Sequence, residues 1–305
     1  MKTDNKTNDL ISLVGGDTDS LYMCYEGLLD TIEGVENMSV KEKTELIVKI
    51  NTEFLNQHNK EYMEAYFKER HCRSMVHEFE LETVAKSGVW LNVKKRYAQI
   101  LSWKDGKYFD EDSMPTKVKG LEIVKSSYPS LARKMLKQLV RSLMEIDDKN
   151  VIHQLNISMQ QCKQQWQVAD IESICPTTSV NNYSKYIISD TNPLGPRVEK
   201  GCPFAVRGLA MYNCIRQSKN LPGDPLYGGK MRYYIIKTPN KNKNTPDQFF
   251  CFQGSNYPSW APQYAPIDRN AMFTRCVLDP FNRILSAIGE KELSIDGYIQ
   301  CSLFD

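Results

Sequence analysis

The chain has 305 residues, 41% hydrophobic and 25% charged, with a formal net charge of +2. That length accommodates two ordinary domains and a real core, while the near-balanced charge excludes a globally basic nucleic-acid binder, so any phosphate-binding surface has to come from local clustering. No window approaches the roughly 18 consecutive apolar residues of a membrane span, so no membrane partner is expected; the leader MKTDNKTNDL lacks a secretory apolar core, and nine cysteines without a C-x-x-C pair fit a reducing compartment better than a disulfide framework.

The first element expected is a β-hairpin. Apolar runs Leu10–Val14 and Leu21–Met23 flank Gly15-Gly16-Asp17-Thr18-Asp19-Ser20, so the acidic residues fall at the turn. Asp17 and Asp19 at such a tip offer hard oxygen ligands to Mg²⁺. A solvated Asp/Gly turn has the same composition for backbone reasons alone, and both readings stand at this point. Ser39-Val40-Lys41-Glu42 is a capping box, and Leu46, Ile50, Phe54 and Leu55 continue at helical spacing, so a helix to about Arg70 is expected. It should pack on the sheet carrying the hairpin.

Residues 74–85 alternate as a strand that places Glu78, Glu80 and Glu82 on one face, where like charges repel unless cations or solvent meet them. Trp90–Trp103 reads as a second apolar strand interrupted by Lys94, Lys95, Arg96 and Tyr97, a cation–aromatic cluster suited to phosphates and a sugar or base. Lys104-Asp105-Gly106-Lys107 closes a hairpin.

Past Met114-Pro115 the composition shifts. A helix from Ser130 to about Asp147 sets Leu131, Met135, Leu139 and Leu143 near one face and Arg133, Lys137 and Arg141 in a basic stripe. A Gln-rich helix follows to about Ile171. Residues 176–182 form a polar loop opening a short helix through Tyr186, and Ala205–Gln217 is helical. Residues 230–237 and 248–252 make a late β element, a helix spans about 268–289, and the chain ends in Ser302-Leu303-Phe304-Asp305.

This order of segments resembles the carboxy-terminal part of the family-B DNA polymerases. Asp17-Thr18-Asp19-Ser20 resembles the third palm motif, and Lys94-Lys95-Arg96-Tyr97 the downstream Lys-Lys-Arg-Tyr motif. Gly120-Leu121-Glu122-Ile123-Val124-Lys125-Ser126-Ser127-Tyr128-Pro129 is similar to the palm-to-thumb junction of the replicative polymerases of large myovirus phages; Val180-Asn181-Asn182, Cys202-Pro203-Phe204 and Arg207-Gly208 are further matches. The resemblance implies an α+β fold: residues 1–120 as the second half of a palm with an antiparallel sheet, 121–298 as a mostly helical thumb with a small β element, and 299–305 as a clamp-binding tail.

It also implies nucleotidyl transfer from dNTP to a primer 3′ end with two Mg²⁺ ions about 3.5–4 Å apart. Asp17 and Asp19 are then the catalytic pair, with Asp19 as direct metal ligand, Asp17 beside the metals and Glu82 approaching them from the neighbouring strand. Lys94, Lys95, Arg96 and Tyr97 contact primer–template DNA near the nascent pair. Lys125, Ser126, Arg133, Ser179, Asn181, Lys185 and Arg207 grip duplex phosphates. Leu303 and Phe304 are what remains of a sliding-clamp contact.

Three departures accompany the resemblance. Gly15 stands where the family has Tyr, and the tail is short. The first palm motif, the fingers helix and the exonuclease are absent. The expectation is therefore the carboxy-terminal subunit of a split polymerase, working in the cytoplasm of an infected bacterial host and active only with an amino-terminal half that supplies the other catalytic Asp. The alternative is a non-catalytic DNA-binding or clamp-tethering module. The intact Asp17, Asp19 and Lys94–Tyr97 weigh against that alternative, because a tether needs none of them.

Overall fold

The residue pattern of 97–103 is apolar on both faces, and the computed structural model makes this stretch the middle of a sheet. The structure describes residues 10–17, 20–74, 79–146, 151–192, 195–238 and 248–295. Strand β4 (Tyr97–Lys104), buried from its first residue to Trp103, pairs β3 (Thr83–Trp90) on one side; β5 (Lys107–Tyr108) and β6 (Thr116–Lys119) share its other edge. A strand covered on both sides reads as a continuous apolar run rather than an alternation. Asp105 and Gly106, both at positive φ (45° and 83°), make the tight turn from β4 to β5.

Ahead of the sheet lie the hairpin β1 (Ser12–Asp17) and β2 (Ser20–Cys24), the single turn α1 (Glu26–Leu29), α2 (Val40–Lys49) and α3 (Asn56–Glu69). Both halves of the Ser39–Glu42 capping box form. A π-helical turn at Ile50–Leu55 joins α2 to α3 in one continuous helical run. Helix α2 packs on the four-stranded sheet through a buried relay: Thr44 Oγ1 donates to Ser102 Oγ (2.8 Å), which donates to the Val84 carbonyl (3.3 Å). The hairpin is a separate two-stranded sheet, so the sheet on which α2 packs is not, as expected, the one that carries the hairpin.

The chain separates into two compact units, one built on residues up to Leu121 and the other mainly on Glu122–Leu143 and Asp148–Ser286. The second contains α4 (Ser130–Glu145), α5 (Val151–Val168), α6 (Ile171–Ile174), β7 (Thr177–Val180), α7 (Tyr183–Tyr186), β8 (Ile187–Ser189) and β9 (Arg197–Val198). It continues with α8 (Phe204–Ser218), β10 (Gly229–Ile235), β11 (Phe249–Gln253), α9 (Ala261–Tyr264), α10 (Arg269–Phe273) and α11 (Asp279–Ala287). A three-stranded sheet in the order β11-β10-β7 carries α8 on one face. All pairings between named strands are antiparallel, so the fold is α+β.

The expected polar loop at 176–182 contains β7; its Thr/Ser composition hid a strand whose register is set by pairing with β10 across the chain. The buried stripe of α4 is Ala132, Met135, Leu136, Leu139 and Val140, rotated from the expected one, with Leu131 and Leu143 at its margins. Trp166 and α10 lock reciprocally: Trp166 Nε1 donates to the Arg269 carbonyl (3.0 Å) and Arg269 Nη1 to the Trp166 carbonyl (2.8 Å). Asn213 satisfies both ends of its amide, donating to Tyr183 Oη (2.9 Å) and the Leu226 carbonyl (2.8 Å) and accepting from Leu226 N–H (2.9 Å). The described cysteines are free thiols, and burial pushes Cys251 and Cys276 up to about 12, which leaves them unreactive.

Helix α8 lies so close to β11 that a Cβ on Gly208 would come within 2.8 Å of Cys251 Sγ and 3.2 Å of Phe249 Cβ. Gly208→Ala should therefore destabilise the second unit by about 1–3 kcal/mol, despite Ala's better helix propensity. The check is a lower denaturant midpoint at unchanged slope.

Candidate active site

The hairpin pairs Leu13 with Met23, Gly15 with Tyr22, Gly16 with Leu21 and Asp17 with Ser20, with a bulge at Val14. Alternation puts Leu21 and Met23 on one face of β2 and Tyr22 on the other. Leu13, Leu21 and Met23 are exposed, whereas Tyr22 packs its ring on Trp90 (centroids 5.9 Å) and Tyr97 (5.3 Å). Trp90 and Tyr97 are cross-strand partners stacked at 6.2 Å. The Tyr22 hydroxyl donates to the Tyr97 hydroxyl at 3.2 Å. One step beyond β2, the Tyr25 hydroxyl donates to Asn51 Oδ1 at 2.9 Å, so the ribbon is fastened to the sheet by one tyrosine and to the long helix by another.

The chain does not run straight from Trp90 to Trp103. It reverses over residues 91–96, where the Leu91 N–H donates to the Arg96 carbonyl (3.0 Å), and Lys94, Lys95 and Arg96 occupy the turn. The expected single strand is thus a β3–β4 hairpin. Lys95 sits in left-handed backbone (φ 63°), and its ammonium lies 3.4 Å from Asp17 Oδ2. Two segments nearly eighty residues apart in sequence therefore meet as a carboxylate against a cation.

Glu82 precedes β3 and is paired with Lys117 Nζ of β6 at 3.9 Å. The strand with three glutamates on one face is not formed by the described residues. Thr83 already pairs with Lys104, the last residue of β4, so Glu80 and Glu82 have no neighbouring strand to extend along; Glu78 lies outside the described residues.

Tyr97 is only 4% exposed, its ring packed against Tyr22 and Trp90. Burial first, then the hydrogen bond shared with Tyr22 and the nearby Tyr22, Glu82 and Asp17, raise its pKa far above the ordinary tyrosine range. Asp19, Leu303 and Phe304 lie outside the described residues.

As metal donors, Asp17 and Glu82 are hard oxygens, and each already has a cation beside it, the Lys95 ammonium in one case and Lys117 in the other. Carboxylate oxygens are the donor type that a divalent ion such as Mg²⁺ takes. Among the described residues no group of three or more His, Cys, Asp or Glu gathers.

In the second unit, Ser179 is exposed on β7 across from Lys230, Asn181 is exposed beyond it, and Asn182 (φ 56°) turns the chain into α7. Lys185 Nζ lies 5.5 Å from the Tyr186 ring centre. Arg207, exposed on the first turn of α8, reaches the Cys202 carbonyl at 3.5 Å. Ser126 is exposed; Lys125 pairs with Glu122 at 3.3 Å. Arg133 is half-buried on α4.

Two cations escaped the sequence reading. Arg283 shares Glu122 with Lys125, 3.6 Å from the same carboxylate oxygen, and Arg275 lies over the rings of Phe204, Tyr233 and Phe249 at 5.5–6.0 Å. Both lie in the helical run 269–287, where basic and polar residues are scattered among apolar ones, which gives no sequence signal.

No family model matches the chain. It is 27% identical over 222 residues, 68% of this chain, to a DNA-directed DNA polymerase of Enterobacteria phage T4. It is 26% identical over 206 residues, 65% of this chain, to a DNA-directed DNA polymerase of Escherichia phage RB69. It spans about a fifth of the length of these relatives, 22% and 21% being covered. Among the described residues no helix is long and apolar enough to cross a membrane.

The raised Tyr97 pKa fixes a sign. Between the unfolded tyrosine pKa of about 10 and the higher folded value, the folded state holds a proton that the unfolded state has lost, so stability falls as pH rises above about 10. Tyr97→Phe should remove the part of that alkaline loss that Tyr97 contributes. Fluorescence of Trp90, stacked on Tyr97, reads it out as a hairpin-docking midpoint that shifts less above about pH 10 than in the unsubstituted chain.

Proposed function

We propose that this chain is the carboxy-terminal part of a DNA-directed DNA polymerase of the family-B kind. In this reading residues 1–120 form the second half of the palm, residues 121–298 the thumb, and 299–305, through Leu303 and Phe304, a reduced sliding-clamp tail. It works together with the amino-terminal part of the polymerase in the cytoplasm of an infected bacterium. The observation that carries the reading is the meeting of Asp17 with Lys95: the two segments that the resemblance singles out converge on one spot. The similarity to phage DNA-directed DNA polymerases supports it independently.

The proposed reaction joins the primer 3′ oxygen to the α-phosphorus of a dNTP and releases pyrophosphate. Mg²⁺ held by Asp19 and Asp17, with Glu82 nearby, would lower the pKa of the primer hydroxyl and neutralise the leaving group. The residues of the chain do the rest. Asp17 is fixed at the end of β1 by the docking of Tyr22 on Trp90 and Tyr97. Lys94, Lys95 and Arg96, projecting from a tight turn, neutralise primer–template phosphates, contacts that position the duplex without reading its sequence. Lys125, Ser126, Arg133, Ser179, Asn181, Lys185 and Arg207 do the same along the thumb. In this reading the remaining catalytic Asp lies in the amino-terminal part of the polymerase.

Mixing the chain with an amino-terminal half should give Mg²⁺- and template-dependent primer extension. Asp19→Asn should lower extension by on the order of 10³-fold or more while leaving assembly, read by size-exclusion chromatography, unchanged. Normal extension by the Asp19→Asn complex overturns the assignment. Salt-dependent duplex binding with no partner able to restore synthesis returns the chain to the tether reading.

A further inference from the structure

Lys95 adopts a left-handed backbone conformation that a side chain disfavours and that its surroundings have to hold in place. The surroundings are identifiable. Strand β6 pairs with β4 in the register Tyr97↔Lys119 and Ala98↔Val118, so the next residue outward, Gly120, lies against the turn at Arg96. Gly120 is itself left-handed (φ 71°). A Cβ there would overlap the Lys95 carbonyl oxygen, and it would come within 3.0 Å of Arg96 Cγ and 3.1 Å of the Lys95 carbonyl carbon. The atom overlapped is backbone, which has no rotamer to retreat into.

We infer that Gly120 is a positioning residue for Lys95. By presenting no side chain, it lets the end of β6 close on the 91–96 turn. That closure holds Lys95 left-handed and delivers its ammonium to the Asp17 carboxylate 3.4 Å away. In this inference Gly120 acts on the site through Lys95. The inference rests on the reading of this turn as a contact for DNA phosphate.

The experiment is a double-mutant cycle on the full chain with a primer–template duplex, binding measured by fluorescence anisotropy across a salt series. Lys95→Gln should weaken binding by about five- to ten-fold near 0.1 M salt and reduce the salt slope by about one. Gly120→Ala should reproduce both changes. The double variant should be no weaker than either single one, since the effect of residue 120 is spent once Lys95 carries no charge.

Additive losses, or a Gly120→Ala salt slope equal to that of the unsubstituted chain, overturn the inference and leave the DNA-contact reading standing. A chain that fails to bind duplex at all sinks both. Independently of any variant folding, the close approach requires a proton–proton nuclear Overhauser cross-peak between the Gly120 α protons and the Arg96 γ protons in the unsubstituted chain. Its absence refutes the geometry.

Discussion

The site depends on the contact of one tyrosine with a cross-strand aromatic pair. A two-stranded ribbon is at best marginally stable in water, and among the described residues β1 and β2 pair with nothing but each other. Their outer face does not help, since Leu13 and Leu21 are 65% and 57% exposed. What holds the ribbon is Tyr22 against Trp90 and Tyr97, with Tyr25 tied to Asn51 as a second fastening. Aromatic contacts of this kind contribute about 0.5–1.5 kcal/mol each beyond the area they bury, enough to set the position of a short ribbon. Glycines make the contact possible. Gly88 leaves the space that the Trp90 indole fills, for a Cβ there would lie 2.7 Å from the ring. Gly15 pairs opposite Tyr22, but a Cβ at residue 15 would meet Tyr22 only at an ordinary 3.9 Å. Packing on the described side of the ribbon therefore does not demand glycine where the resembling polymerases carry Tyr.

Local signals were legible where the physics is local. The Ser39–Glu42 box, the Asp105-Gly106 turn and the long amphipathic α4 each follow from residues within a few positions of one another, and each forms. The turn carrying Lys94–Arg96 was not legible as a turn. It contains no glycine or proline, and the left-handed residue is a lysine whose conformation depends on Gly120, twenty-five positions downstream in sequence. Strand β7 was missed for a related reason: its short Thr/Ser run gains strand character from β10, some fifty residues on. Glu82 lost its strand because β4 ends opposite Thr83. In each case the deciding partner is remote in sequence.

The candidate site residues divide in the same way. Their identities were readable as a pattern, but which of them are available was not. Tyr97 was named as a contact and is enclosed; Arg275 and Arg283 were passed over and sit beside the motif residues of the second unit. A sequence motif carries residue type and spacing, while the burial of a side chain is set by whatever packs over it. For Tyr97 that is Tyr22, contributed by a segment seventy-five residues earlier.

Electrostatics explain why this arrangement suits a site that exchanges ions. Asp17 and Glu82 each face a lysine from a different element, and the lysines are partly solvated, Lys95 at 60% and Lys117 at 29% side-chain exposure. Exposed pairs of this kind contribute only about 0–1 kcal/mol, so separating one costs little if a phosphate receives the ammonium and a divalent ion the carboxylate. Tyr97, in the same sheet, has a hydroxyl that burial keeps neutral. It adds no charge of its own to compete for either ion. Rigid aromatic packing thus fixes where the charges stand, while weak pairing at the surface leaves them free to change partners, and the two properties come from different side chains of the same few strands.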